Sequence, residues 1–434
     1  MKNSGVEWIG EIPEDWEVKP VKRYFSHVKR IVGNDVDKYE RLSLTMQGVL
    51  KRSKDDADGL QPEKFNGYQI LKQNELVFKL IDLENINTSR VGLSPFTGLV
   101  SPAYIILSNN KKDNTFYYYW FLNMYYQEVF NKLGDGGVRS ALNTKDVLSL
   151  PMVYLNNEIQ QRIATYLDKK ISKIEETIQN QQQVIEKLKA YKQSLITEAV
   201  TGKVKIENGK ICGEYESYKD SGVEYLGKIP LDWNIKRLRY IGKCQNGISK
   251  GGEFFGSGYP FVSYGDVYNN LVLPETVSGL IESTHEEQEN YSVKAGDIFF
   301  TRTSETIEEV GFTSVCLKTI ENATFAGFVI RVRPFTDELI PDYSKYYFSS
   351  DAHRRFFVKE MNLVTRASLS QDLLKRLPVL IPSKEKQKEI ADYLDKKCTA
   401  IDTAIEQKQK LIEKLTEYKK SLIYECVTGK KEVN

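Results

Sequence analysis

The residues of this chain best suited to recognition chemistry are arginines beside small hydroxyls in loops. Arg139 and Ser140 stand in GGVRSALNTKD, and Arg366 and Ser368 stand in LVTRASLSQDL. A guanidinium donates two parallel hydrogen bonds from a planar fork, which suits a phosphate or the edge of a guanine. The same group could instead cap the preceding helix or pair with a local acid, and the sequence leaves both uses open. Arg90 in NTSRVG and Arg302 in FTRTSETIEEVG occupy strand-exit loops before a Val-Gly. Lys51 and Arg52, in the cluster KRSK, could meet a phosphate or simply face water. Tyr264, followed by Gly265 and Asp266, is a loop candidate for a base edge. The aromatic run at 116–121 could stack bases, but its apolar faces suit a buried helix better.

A catalytic set is harder to assemble. VTGK at 200–203 and 427–430 lacks the upstream glycine of a phosphate loop and falls at helix ends. No GxGxxG after a strand, no GxSxG and no HExxH is present. Glu17-Val-Lys19 has the outline of a nuclease carboxylate–lysine element, but its copy reads Asn234-Ile-Lys236 and has lost the carboxylate. The three histidines, His27, His285 and His353, do not recur between the halves of the chain. Cys212, Cys244, Cys316, Cys398 and Cys426 are scattered without a CxxC pair, which supports neither a disulfide framework nor zinc. The expectation is a chain with no catalytic residue and no metal site.

The elements that must hold these loops are written twice. SGVEWIGEIPEDW at 4–16 returns as SGVEYLGKIPLDW at 221–233. Residues 150–203 return as 377–430 at a constant offset of 227, with 28 identities in 54 positions. Solenoid units span only ~20–50 residues, so a whole domain plus a long helix is duplicated. The offset between the two arms is 217, so the halves differ by ten residues, all in their middles. Those middles carry short apolar runs at 76–78, 104–107, 260–264, 297–300 and 328–332, with turn-forming stretches ending at Gly59 and spanning 256–258. Aromatic helices are expected at 115–132 and 342–361.

The clearest helices follow. Ile171, Ile174, Ile178, Ile185, Leu188 and Leu195 step by three and four residues, broken by polar Gln181 and Lys192. The copy runs Ile401, Ile405, Ile412, Leu415 and Leu422, with Lys408 and Lys419 as its polar breaks. This is a coiled-coil seam on helices of ~44 residues, hence ~66 Å long, each stopped by a glycine, Gly202 or Gly429. A seam needs a partner, and the nearest is its own copy; a twofold relation makes the pair antiparallel. The fold class is therefore α+β (mixed α/β), with two pseudo-twofold-related domains. Boundaries fall at 1–149, a long helix at 150–203, a linker at 204–220, a second domain at 221–376 and a second helix at 377–430.

Composition does not announce a partner. The chain carries 61 Lys+Arg against 59 Asp+Glu, whereas nucleic-acid binders usually show a basic surplus. Any DNA face must come from charge segregation. No apolar run approaches the ~18 residues of a membrane span, and a cytoplasmic location is expected.

The repeated arm motifs and the repeated LP…YLDKK…SLI…VTGK regions closely resemble those of the DNA-specificity subunit of type I restriction-modification systems. The resemblance covers nearly the whole chain; EIQQ and EKQK depart slightly from the commoner Glu-Gln. It implies two target recognition domains that each read one half of an interrupted, asymmetric sequence in double-stranded DNA. It further implies helices that space them and hold two modification (methyltransferase) subunits, with adenine as the methylated base and restriction subunits completing the complex. S-adenosylmethionine, ATP and magnesium are then expected on the partners and no cofactor on this chain. The alternatives are a coiled-coil scaffold with two non-DNA binding modules, or a self-contained nuclease or methyltransferase.

Overall fold

The computed structural model describes residues 1–55, 64–83, 88–109, 113–133, 141–304, 309–360 and 367–433. The chain forms two compact units, residues 1–181 with 409–434, and residues 182–408. Both long helices, Asn157–Val200 and Lys384–Val427, contribute to both units. The expected boundaries at 149 and 376 thus mark where the helices approach, while the compact units draw half of each helix into each core.

In the first unit the strands Gly48–Arg52, Arg41–Thr45, Gly98–Val100 and Gln69–Leu71 form one sheet in that order. A second sheet runs Ser26–His27, Ile105–Ser108, Leu76–Phe78, Val91–Leu93. Side chains alternate along a strand, and here both faces are covered. Val77 and Ile106 point to the first sheet, where Leu42, Leu44, Val49, Leu71 and Val100 meet them. Leu76, Phe78, Ile105 and Leu107 point the other way, onto the aromatic helix Thr115–Tyr126. That double burial is why these runs read as unbroken apolar stretches.

The second unit repeats the plan. Gly242–Asn246, Val329–Pro334, Ile298–Thr301 and Thr313–Val315 form one sheet, and Leu280–Ile281, Phe255–Val262 and Thr324–Phe325 another. Phe299 faces the second of these, while Ile298 and Phe300 face the aromatic helix Pro341–Ser349. The stretch 256–258, expected as a turn, is instead a bulge inside Phe255–Val262, with Gly256 at φ 97° and Gly258 at φ 95°. Each expected aromatic helix is also two helices. Thr115–Tyr126 gives way to Val129–Leu133 at Glu128 (φ 57°), and Pro341–Ser349 gives way to Asp351–Glu360 at Ser350.

The seam is buried as its spacing requires. Ile171, Ile174, Ile185, Leu195, Ile401, Ile412 and Leu422 are buried, and Ile178, Leu188, Ile405 and Leu415 are partly buried against the same cores. In the first unit Glu175 pairs with Lys419 at 2.7 Å, and Lys431 lies near Tyr166, so the helices run antiparallel there. In the second unit Lys192 pairs with Asp402 at 2.7 Å. The two ion pairs are images of one another under the offset of 227. The same holds for two phenol–carboxylate bonds that tie aromatic helix to long helix, Tyr119 to Asp168 at 2.7 Å and Tyr346 to Asp395 at 2.6 Å.

The two repeated motifs prove to be halves of one contact. Ile9, Ile12 and Trp16 of the first arm pack with Leu422, Ile423, Cys426 and Val427, at the end of the second long helix. Leu226, Ile229 and Trp233 pack with Leu195, Ile196, Ala199 and Val200, at the end of the first. Lys203 of VTGK donates to the carbonyls of Leu226 at 2.9 Å and Lys228 at 2.6 Å. Each arm therefore clasps the helix end of the other repeat. The expected linker 204–220 is itself folded, with Ile206–Glu207 and Lys210–Ile211 paired as a hairpin and Ile206 buried.

Candidate nucleic-acid interface

In the second unit the strand pairing gathers most of the residues singled out above. Thr303–Ser304 pairs with Ala367–Ser368 in the register Thr303 to Ser368. Leu369 N–H donates to the Arg302 carbonyl at 2.7 Å, and Arg302 N–H donates to the Phe328 carbonyl at 2.9 Å. The Tyr264 hydroxyl donates to the Thr303 carbonyl at 3.0 Å. Arg302 and Tyr264 are half-buried and Ser368 is exposed, so one loop cluster presents all three. Tyr264 is not in a loop. It opens the short helix Tyr264–Asn269, whose start is fixed by a reciprocal Ser263–Asp266 capping box. Burial pushes its phenol above the ordinary range, so it stays protonated and keeps its donor.

Sequence reasoning missed neighbours of this cluster. Gln371 donates its amide to Asn246 at 3.0 Å, and both are partly exposed. Amides of this kind suit adenine edges, but a lone Asn and Gln, 125 positions apart, carry no signal in the sequence. Phe328 is 63% exposed on a turn beside Arg302.

Arg139, Ser140 and Arg366 lie outside the described residues. Their flanks are described, and they match. Leu142 N–H donates to the Leu80 carbonyl at 3.0 Å, as Leu369 N–H donates to that of Arg302. The two Arg-bearing segments thus re-enter the fold at equivalent places, beside the exit of an equivalent strand.

This pairing corrects the reading of Arg90. Its equivalent is Phe312, not Arg302, because Lys79 N–H donates to the Arg90 carbonyl just as Thr301 N–H donates to that of Phe312. Arg90 is fully buried. Its guanidinium donates to the carbonyls of Ile81 at 2.9 Å and Asp82 at 2.7 Å. It is a staple for the 79–82 turn, not a contact for a ligand. Burial lowers its pKa from the ordinary value.

Lys51 and Arg52 lie on the edge strand Gly48–Arg52. Lys51 is exposed, pairs with Glu40 at 2.6 Å and sits over the Phe96 ring. Arg52 is half-buried, and Lys54 donates to the Val36 carbonyl at 2.8 Å. Edge lysines of this kind also guard a sheet against edge-to-edge pairing. Glu17 and Lys19 form an exposed ion pair, and that contact lowers the Glu17 pKa. A general base needs the reverse shift. His353 is buried among Phe348 and Phe357. Among the described residues no group of three or more His, Cys, Asp or Glu could hold a metal ion, and no helix is long and apolar enough to cross a membrane.

Comparison with known proteins agrees with this architecture. Residues 230–416 match the type I restriction modification DNA specificity domain. The EcoKI type I restriction enzyme specificity subunit of Escherichia coli K12 is 21% identical across 97% of this chain and 90% of its own length. A putative MjaX type I specificity subunit from Methanocaldococcus jannaschii is 26% identical over 47% of each. A chain solved in work on complex assembly and conformational transition of the type I R-M system superposes with a TM-score of 0.71 at 14% identity, covering 97% of this chain and 100% of that one. The HsdS subunit from Thermoanaerobacter tengcongensis gives 0.50 at 14% identity, covering 97% and 98%. Residues 230–416 thus match the type I restriction modification DNA specificity domain, and the chain is similar nearly end to end to a specificity subunit of a type I restriction enzyme and shares the fold of solved ones.

Proposed function

We propose that each unit reads one half of an interrupted, asymmetric sequence in double-stranded DNA, and that the long helices carry two adenine-N6 methyltransferase subunits. Restriction subunits join that assembly. The chain is the non-catalytic member, and S-adenosylmethionine, ATP and magnesium belong to the partners. A cytoplasmic location follows from that substrate.

The observation that carries this reading is the contrast between what the two units share and what they do not. They share the arm-to-helix clasp, the Tyr119–Asp168 and Tyr346–Asp395 bonds and the Glu175–Lys419 and Asp402–Lys192 ion pairs. They differ in the side chains on equivalent loop positions, with Leu80 in one unit where Arg302 stands in the other. A scaffold conserved under recognition positions that diverge suits two readers with different targets. Phosphate contacts would supply affinity and its salt dependence, and a few loop side chains would supply specificity.

The test is selection from a randomised duplex library by the chain assembled with its methyltransferase subunits. Enrichment of two fixed blocks separated by unread positions is expected. Enrichment of a single uninterrupted block, or none, would overturn the proposal.

A further inference from the structure

Both units build the same turn, and one of them puts a phenylalanine on its tip. In the first unit Tyr104 N–H donates to the Ser101 carbonyl at 3.1 Å, closing the turn Ser101-Pro102-Ala103-Tyr104. In the second, Val329 N–H donates to the Ala326 carbonyl at 3.0 Å, closing Ala326-Gly327-Phe328-Val329. The turns are equivalent, since each leads into the central strand of its sheet, Ile105–Ser108 or Val329–Pro334. The exposed third position is Ala103 in one and Phe328 in the other. The fold therefore does not require an aromatic ring there.

The turn in the second unit is held from every side. Ala326 N–H donates to the Val262 carbonyl at 3.0 Å, and the Phe328 carbonyl accepts from Arg302 at 2.9 Å. A Cβ on Gly327 would lie 2.2 Å from Ser249 Oγ, so the loop at 248–249 packs directly beneath. A 63% exposed phenylalanine on so fixed a backbone has its position settled before any ligand arrives. It is not among the buried core residues, and its carbonyl is bonded to Arg302, next to the Thr303 that pairs with Ser368 and accepts from the Tyr264 hydroxyl.

We infer that Phe328 is a specificity-determining residue of the second unit, making a direct apolar contact with a base of the half-site that unit reads. The inference rests on the DNA-reading function proposed above. Two features of DNA offer this chemistry. One is the C5 methyl of a thymine in the major groove, and the other is the face of a base at a step opened by an apolar wedge. In either case the equivalent Ala103 is too short to make the contact, so the two units would differ in how they read at this point.

The experiment uses the chain assembled with its methyltransferase subunits and duplexes carrying the selected bipartite sequence. The wild-type complex is first shown to discriminate against scrambling of either half; if it does not, the proposed function fails rather than this inference. Phe328→Ala should then weaken specific binding roughly ten- to hundredfold, erase discrimination within one half-site and leave the other intact. Binding to unrelated DNA and the thermal unfolding midpoint should be unchanged. Replacing thymines of the affected half by uracil separates the two sources. Loss in the wild type that Phe328→Ala no longer adds to assigns methyl contact. A rise in 2-aminopurine fluorescence that needs Phe328 assigns a wedge. Equal loss at both half-sites, unchanged discrimination, or neither signature in that half would overturn the inference.

Discussion

Gly429 and Gly202 test the clasp between each arm and the helix end of the other repeat. Gly429 sits at φ 71°, and a Cβ there would lie 2.4 Å and 2.5 Å from the Pro13 ring and 3.2 Å from Trp16. Gly202 at φ 69° meets Pro230 at 2.4 Å and 2.5 Å and Trp233 at 3.4 Å. Two costs therefore add on substitution by alanine. Left-handed backbone costs an L-residue ~1–2 kcal/mol, and forcing a methyl into a packed proline ring costs ~1–3 kcal/mol. The sum is about 2–5 kcal/mol for Gly429→Ala or Gly202→Ala. Gly209 separates the costs, because it has φ 70° with nothing within 4 Å of its Cβ position. Gly209→Ala should lose about 1–2 kcal/mol, the backbone part alone. Denaturant unfolding of the full chain measures the totals. Amide exchange localises them, with faster exchange over 4–16 for Gly429→Ala and over 221–233 for Gly202→Ala. Losses no larger than that of Gly209→Ala would refute the claim that the glycines exist to admit the proline.

Other substitutions separate reading from folding. Arg90→Met should destabilise the chain by ~1–3 kcal/mol through the carbonyls it strands, with the salt dependence of DNA binding unchanged; a flatter salt slope at wild-type stability would contradict the staple assignment. Arg139→Ala and Arg366→Ala should each cost ~1–3 kcal/mol in competition binding at one half-site, a different half for each, and equal loss at both would mean a structural role. Burial pushes the His353 imidazole down to about 3, below its unfolded value of ~6.5. The unfolded chain then binds the extra proton between those values, so the contribution is complete above about pH 6.5 and is lost as pH falls toward 3. Denaturant midpoints measured from pH 7.5 to 5 should fall for the wild type and fall less for His353→Phe; parallel slopes would refute the assignment.

The duplication and the seam were legible in sequence because each is a pattern repeated over many positions. The strands at 76–78 and 297–300 were legible because sheets covered on both faces leave apolar runs. The recognition surface was only partly so. Arg90 and Arg302 look alike in sequence, each before a Val-Gly, and only the hydrogen bonds to Lys79 and Thr301 show that Arg302 matches Leu80. The Asn246–Gln371 contact and the exposure of Phe328 depend on which loops the sheet brings together, which no local spacing encodes. The clasp was missed for a related reason. Its two halves were each visible as a motif, but nothing in either names the other as partner.

Sequencing of modified adenines in genomic DNA from cells that carry this chain with its methyltransferase subunits tests the central claim most directly. The account predicts one asymmetric motif of two short blocks separated by a fixed number of unread bases, with the modification lost when the chain is deleted. A contiguous palindromic motif, or no motif that depends on the chain, would contradict it.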